Sequence, residues 1–145
     1  MPQTIWLPEM MTGVVVMDAL HRDFLHALAG LSVTADKDFG AGYGTLVTSL
    51  ERAFATEEMW MEQIAFPALK SHREQHARVL SALHHAHPQV MQGDLSVAQN
   101  IVKKLLPQWF AFHVATMDTT LAIAMEITCR QATHRTRTHA EAYAD

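Results

Sequence analysis

Six side chains of metal-ligating type fall on positions where a helical apolar stripe would otherwise be aliphatic: His21, Glu57, His72, His76, His113 and Asp118. His21 stands four residues after Met17 and three before Phe24, so all three share one face of a helix. Glu57 lies seven residues after Leu50 and four before Met61. His72 and His76 lie between Leu69 and the pair Val79 and Leu80, which stacks two imidazoles one turn apart. His113 is four residues after Trp109. Asp118 follows at a spacing of five, about 140° round an ideal helix, and joins the same face only through a local distortion such as a π-bulge.

Taken singly, each of these residues has an ordinary explanation, since an inward histidine is commonly a hydrogen-bonded core residue. Taken together, four histidines and two carboxylates in one core cost on the order of 1–3 kcal/mol apiece without partners, and more for an ionised carboxylate. The sum exceeds much of a stability margin of about 5–15 kcal/mol. A shared cation removes that cost. Imidazole nitrogens with carboxylate oxygens suit iron, manganese or zinc, and two carboxylates inside a bundle can bridge two cations.

The elements that must carry these residues are helices. Apolar residues recur at helical spacing in four segments: Met17, Leu20, Phe24, Leu28, Leu31; Leu46, Leu50, Phe54, Met61, Ile64; Leu69, Val79, Leu80, Leu83; and Val102, Leu106, Trp109, Val114, Met117, Leu121, Ile127. No stretch alternates with the period of a strand. Ser32, Thr34, Asp36, Asp38 and the glycines at 40, 42 and 44 read as a loop, Pro67 as the opening of the third helix and Pro88 as its end. Ser96 and Gln99 have the spacing of a capping box, and Pro107 predicts a kink or a later start of the fourth helix. The expected fold is all-α, an antiparallel up-down-up-down four-helix bundle with an internal metal site. Residues 1–130 form the bundle, and residues 131–145 form a C-terminal tail or helix extension.

Composition narrows the function classes. The 145 residues suit one domain, and 11 basic against 15 acidic side chains, with no basic run, argue against nucleic acid as a partner. No apolar run reaches the roughly 20 residues of a membrane span, and the first residues lack the basic region of a secretory signal. One cysteine, Cys129, forms no intramolecular pair, so a reducing, cytoplasmic setting is expected. His84, His85 and His87 read as histidines complementing a helix C-terminus rather than as a second metal site.

At the six ligand-type positions the sequence resembles the hemerythrin family of non-haem di-iron proteins. Asp18 and His21 match its run Asp-x-x-His, and Phe54, Glu57, Glu58 and Met61 match its second-helix pattern His-Phe-x-x-Glu-Glu-x-x-Met. His72 and His76 follow Glu57 at the family spacing, and Trp109, His113 and Asp118 match Trp-x-x-x-His-x-x-x-x-Asp without a gap. With Trp6, the resemblance spans residues 6–125. One position departs: the family's histidine one turn before the glutamate is Ala53.

The resemblance implies two iron ions with a bridging oxo or hydroxo group. His72, His76 and His113 would hold one iron, Glu57 and Asp118 would bridge, and His21 alone would remain to the second. That second site is then partly occupied or open to water or an added anion. The implied function is binding or sensing of a small diatomic ligand, O2 or nitric oxide, or of peroxide, with oxidase or peroxidase-like turnover as a side activity. Leu20, Phe24, Leu50, Phe54, Trp109 and Phe110 would wall the centre from water. The alternative is an interaction module holding one zinc or iron at His72, His76 and His113, with no redox chemistry, and a metal-free bundle is a third reading.

Overall fold

The computed structural model describes residue 6 and residues 8–142; the parts of the expected bundle and tail at 1–5, 7 and 143–145 lie outside the described residues. Helices α1 (Val15–Ser32), α2 (Asp36–Gln63) and α3 (Leu69–Met91) are uninterrupted. The fourth, α4, is continuous over residues 96–142: two π-helical turns, Ile101–Leu105 and Val114–Asp118, separate the α-helical stretches Ser96–Asn100, Leu106–His113 and Thr119–Ala142. A short 3-10 turn, Pro8–Met10, precedes α1, and no strand occurs among the described residues.

The four helices form an antiparallel bundle. His21 near the start of α1 meets Glu57 near the end of α2, while the Tyr43 hydroxyl near the start of α2 donates to the Leu83 carbonyl near the end of α3, at 2.6 Å. Gln99, in the first turn of α4, donates to Asp36 at the start of α2, at 2.8 Å. Two apolar clusters fill the interior. The larger contains Phe24, Leu28, Tyr43, Leu46, Leu50, Leu83 and Val102, and the smaller contains Met17, Met61, Phe66, Leu121 and Ala122. His21, Glu57 and Asp118 each sit along their helix between residues of the two clusters, so a polar layer divides the core.

Several boundaries differ from the sequence expectation. The segment expected as a loop at 32–44 is a loop only over 33–35, and the glycines at 40, 42 and 44 lie inside α2. Close helix packing is the physical reason: a β-carbon at Gly42 would stand 2.7 Å from Leu31 Cδ1 on α1. Pro67 does not open α3, which begins at Leu69, and Pro88 does not end it. Pro88 sits in the last turn, where the lost N–H costs one bond and the helix stops within three residues.

The expected capping box is absent. Ser96 turns its hydroxyl back to Asp94, at 2.9 Å, while Gln99 reaches α2 instead. Pro107 follows the first π turn, in which the Leu106 N–H bonds back to the Ile101 carbonyl, and that widening is the relief the ring requires. The apolar stripe of α4 also ends early: Ile127 is 51% exposed, and every described side chain from Glu126 to Thr138 is exposed. No helix among the described residues is long and apolar enough to cross a membrane.

Candidate metal centre

Each helix delivers its share of the polar layer by simple periodicity, except α4. There the five-residue spacing of His113 and Asp118 would splay them apart, and the π turn Val114–Asp118 brings them onto one face. The turn is secured twice at the Val114 carbonyl, which accepts the Thr119 N–H and, at 2.9 Å, the Thr119 hydroxyl. All six predicted residues are buried, none more than 2% exposed.

Five of them, Glu57, His72, His76, His113 and Asp118, offer donor atoms that all lie within 4.8 Å of one another. His113 Nε2 stands 3.1 Å from His72 Nε2 and 3.2 Å from His76 Nε2. Asp118 Oδ1 is 3.0 Å from His72 Nε2 and 3.2 Å from His113 Nε2, and Glu57 Oε2 is 3.1 Å from His76 Nε2. His21 stands outside this group but touches its other side. Its Nε2 is 3.0 Å from Glu57 Oε1 and 3.1 Å from Asp118 Oδ2. Each carboxylate therefore gives one oxygen to a three-histidine side and the other to a one-histidine side.

These donors fit a cation. Neighbouring octahedral donors around an ion at roughly 2.1 Å stand about 3.0 Å apart, the spacing seen here. Hydrogen bonding among themselves does not satisfy them: Glu57 Oε2 and both Asp118 oxygens are buried without an aligned hydrogen bond, although imidazole nitrogens lie close by. The atoms converge on shared points rather than on one another.

Aromatic rings fix the imidazoles. Phe54 stacks flat on His76, with centroids 3.8 Å apart and planes 2° apart, and Trp109 stacks on His113 at 4.4 Å. Phe110 meets His21 edge-on at 5.4 Å. The expected apolar wall is closed at Phe24, Leu50, Phe54 and Phe110, which are buried, while Leu20 and Trp109 are only partly so.

The groups of the layer shift one another's proton affinities. Burial alone would lower the His21 imidazole, but the facing carboxylates of Asp118 and Glu57 override it and hold it up to about 9; the same balance holds His72 up to about 9. Burial, with the positive charge of His72, lowers His76 despite Glu57. Burial and Asp118 would raise Glu57, yet its histidine partners bring it down to about 2. Asp118 lies well below the usual carboxylate range, because contacts with His113, His21 and His72 outweigh burial.

A pH dependence follows, and its sign is fixed by the raised histidines. His21 and His72 are protonated below about 9, whereas a metal ligates only neutral imidazole. Metal uptake at pH 7.5 should release about two protons per centre, and affinity should weaken as pH falls from 9. Adding Zn2+ to weakly buffered apoprotein with an indicator dye measures this directly; no proton release would contradict it.

Sequence reasoning missed Gln75, whose Oε1 accepts the His113 Nδ1–H at 3.2 Å and so sets which nitrogen of His113 faces the centre. The available signal was its position three residues after His72, one turn along the same helix. Asp18 also gains a role. Its carboxylate accepts the Thr12 N–H at 2.9 Å, the Thr12 hydroxyl at 2.7 Å and the Gly13 N–H at 3.3 Å. Gly13 takes φ 85°, a left-handed conformation that favours glycine, and the chain thereby enters α1 in a fixed direction above His21. Of the C-terminal histidines of α3, His84 pairs with Glu51 at 2.6 Å and His87 meets the Tyr43 ring edge-on, and neither joins a metal-type cluster among the described residues.

A four-helix bundle whose core is divided by one buried layer of four histidines and two carboxylates defines a metal-binding bundle protein. No protein-family model matches the chain. The Bacteriohemerythrin of Ralstonia nicotianae (strain ATCC BAA-1114 / GMI1000) is 32% identical over 118 residues, which cover 81% of this chain and 85% of that protein. The chain belongs to the hemerythrin family.

Proposed function

We propose that this chain is a non-haem di-iron protein that binds or senses O2, nitric oxide or peroxide, with a coordination position left open on its one-histidine side. The observation that carries this reading is the division of each carboxylate: Glu57 and Asp118 both turn one oxygen to His21 and the other to the three-histidine group. In this reading His72, His76 and His113 would hold the first ion, Glu57 and Asp118 would be shared between the two, and His21 would hold the second. When bound, the iron pair supplies the electrons and the Lewis acidity that a diatomic ligand needs.

The protein's own residues do the rest. Phe54 and Trp109 clamp two imidazoles so that little reorganisation accompanies ligand exchange, and Gln75 fixes the His113 tautomer. Phe24, Leu50 and Phe110 exclude water from the buried layer. Cys129, exposed as a free thiol, suits a reducing, cytoplasmic setting.

A single-ion reading is favoured by one fact, that the tightest cluster comprises five donors and omits His21. The two readings separate on exposure of the anaerobically reduced, iron-loaded protein to O2. A di-iron centre gives a new visible absorption band that saturates with the added gas, and a redox-inert single-ion module gives none.

A further inference from the structure

One residue of the second-helix motif has no place in the donor set. Glu58 follows Glu57 directly on α2, yet it stands apart from the clustered donors and is partly exposed. Its two oxygens are divided. Oε1 accepts the Arg73 Nε–H at 3.1 Å, and Oε2 lies 3.9 Å from Nδ1 of His76. Arg73 also donates from Nη2 to Glu62, at 2.6 Å, so a row of Glu62, Arg73, Glu58 and His76 runs from the surface to the buried layer.

The inner end of that row is incomplete. Nδ1 of His76 is buried without a hydrogen bond, and Glu58 offers the one carboxylate beside it among the described residues. Phe54 stacked at 3.8 Å holds the imidazole still, whereas Glu58 and Arg73 both meet solvent and have room to turn. The gap is too long for a hydrogen bond and closes with a small rotation of the Glu58 carboxylate. A cation on Nε2 makes the Nδ1–H a stronger donor, and metal-ligating histidines almost always give that proton to a carboxylate, a carbonyl or a water. His113 gives it to the neutral amide of Gln75, and Nδ1 of His21 and of His72 are buried with no partner. Among the four imidazoles of the layer, His76 is the one with an anionic acceptor at hand.

We propose that Glu58, braced by Arg73, is the positioning carboxylate of His76: it accepts the Nδ1–H when a cation sits on Nε2, and so strengthens that imidazole as a ligand. The inference rests on the reading that His72, His76 and His113 hold an ion, and it is independent of a second ion beside His21.

NMR of the Zn2+-loaded protein with isotope-labelled histidine tests it, together with Zn2+ affinity against a competing chelator. In the wild type the His76 Nδ1–H is expected as a downfield resonance protected from exchange. Glu58→Gln keeps an acceptor oxygen without the charge, and should move that resonance upfield and weaken Zn2+ severalfold. Glu58→Ala removes the acceptor, so the resonance should be lost to exchange with water and affinity should fall about 10–100-fold. Glu62→Gln, at the outer end of the row, should change neither, and the His113 Nδ1–H should stay in place throughout. Should Glu58→Ala fail to fold, Glu58→Gln, which has the same shape as the native side chain, decides. A His76 resonance indifferent to substitution of Glu58 overturns the inference even where affinity falls, because a merely structural loss lowers affinity alone. Wild-type protein that takes up no Zn2+ overturns the metal reading as well.

Discussion

Glu57→Ala should strip the protein of metal on both sides of the centre, because one carboxylate serves both. Its Oε1 lies 3.0 Å from His21 Nε2, and its Oε2 lies 3.1 Å from His76 Nε2. Losing even an outer-shell partner of a metal ligand typically costs 10–100-fold in affinity, so removal of a direct donor should cost at least ~100-fold at each position. Glu57→Gln retains one oxygen and replaces the other by an amide nitrogen that does not ligate, so it should lose roughly half of the metal rather than all of it. Equilibrium dialysis against Fe2+ or Zn2+ with elemental analysis reads both variants, and circular dichroism confirms the bundle. Unchanged metal content in Glu57→Ala would remove the carboxylate bridge from the account.

Ala53→His should act in the opposite direction. Position 53 is one turn before Glu57 on α2, so an imidazole there faces the same side of the helix. A groove of about 860 Å3 between α1 and α2 has Ala53 on its lining and offers volume for the ring, which avoids the strain of overpacking a closed core. A second nitrogen donor beside His21 should tighten the weaker ion by about 10–100-fold, and should leave the ion at His72, His76 and His113 unchanged. Stepwise titration with Zn2+ against a competing chelator separates the two affinities. A variant in which neither affinity moves would mean that the space at Ala53 does not communicate with the centre.

Most of the site was readable because helical periodicity converts sequence spacing into direction. His21, Glu57, His72 and His76 interrupt stripes whose neighbours are unambiguous, and all four are buried as those stripes require. The need for a local distortion between His113 and Asp118 is also legible in their spacing, and the structure supplies it as the π turn Val114–Asp118.

Other features were hidden because their causes lie between helices. Three glycines within five residues look like a turn, yet in α2 they belong to helix interior, and at Gly42 the reason is Leu31 on another helix. Ser96 and Gln99 have the right spacing for a cap, but Asp94 and Asp36 are stronger acceptors within reach, and only the folded chain brings Asp36 near. Gln75 looked like one more polar residue on α3 until His113, 38 positions later, was brought beside it. The groove over Ala53 is likewise a property of two packed helices, although the substitution at its inner end is visible in the sequence.

The central claim is that this layer holds two ions in spite of its uneven histidine supply. Elemental analysis of protein produced in iron-supplemented medium, expressed as metal per chain, tests it most directly. The account predicts two irons per chain, with the second removed first by a mild chelator because His21 is its only imidazole. One iron that no excess of metal can raise, or none, would contradict it and leave the three-histidine side as a single-ion or structural site.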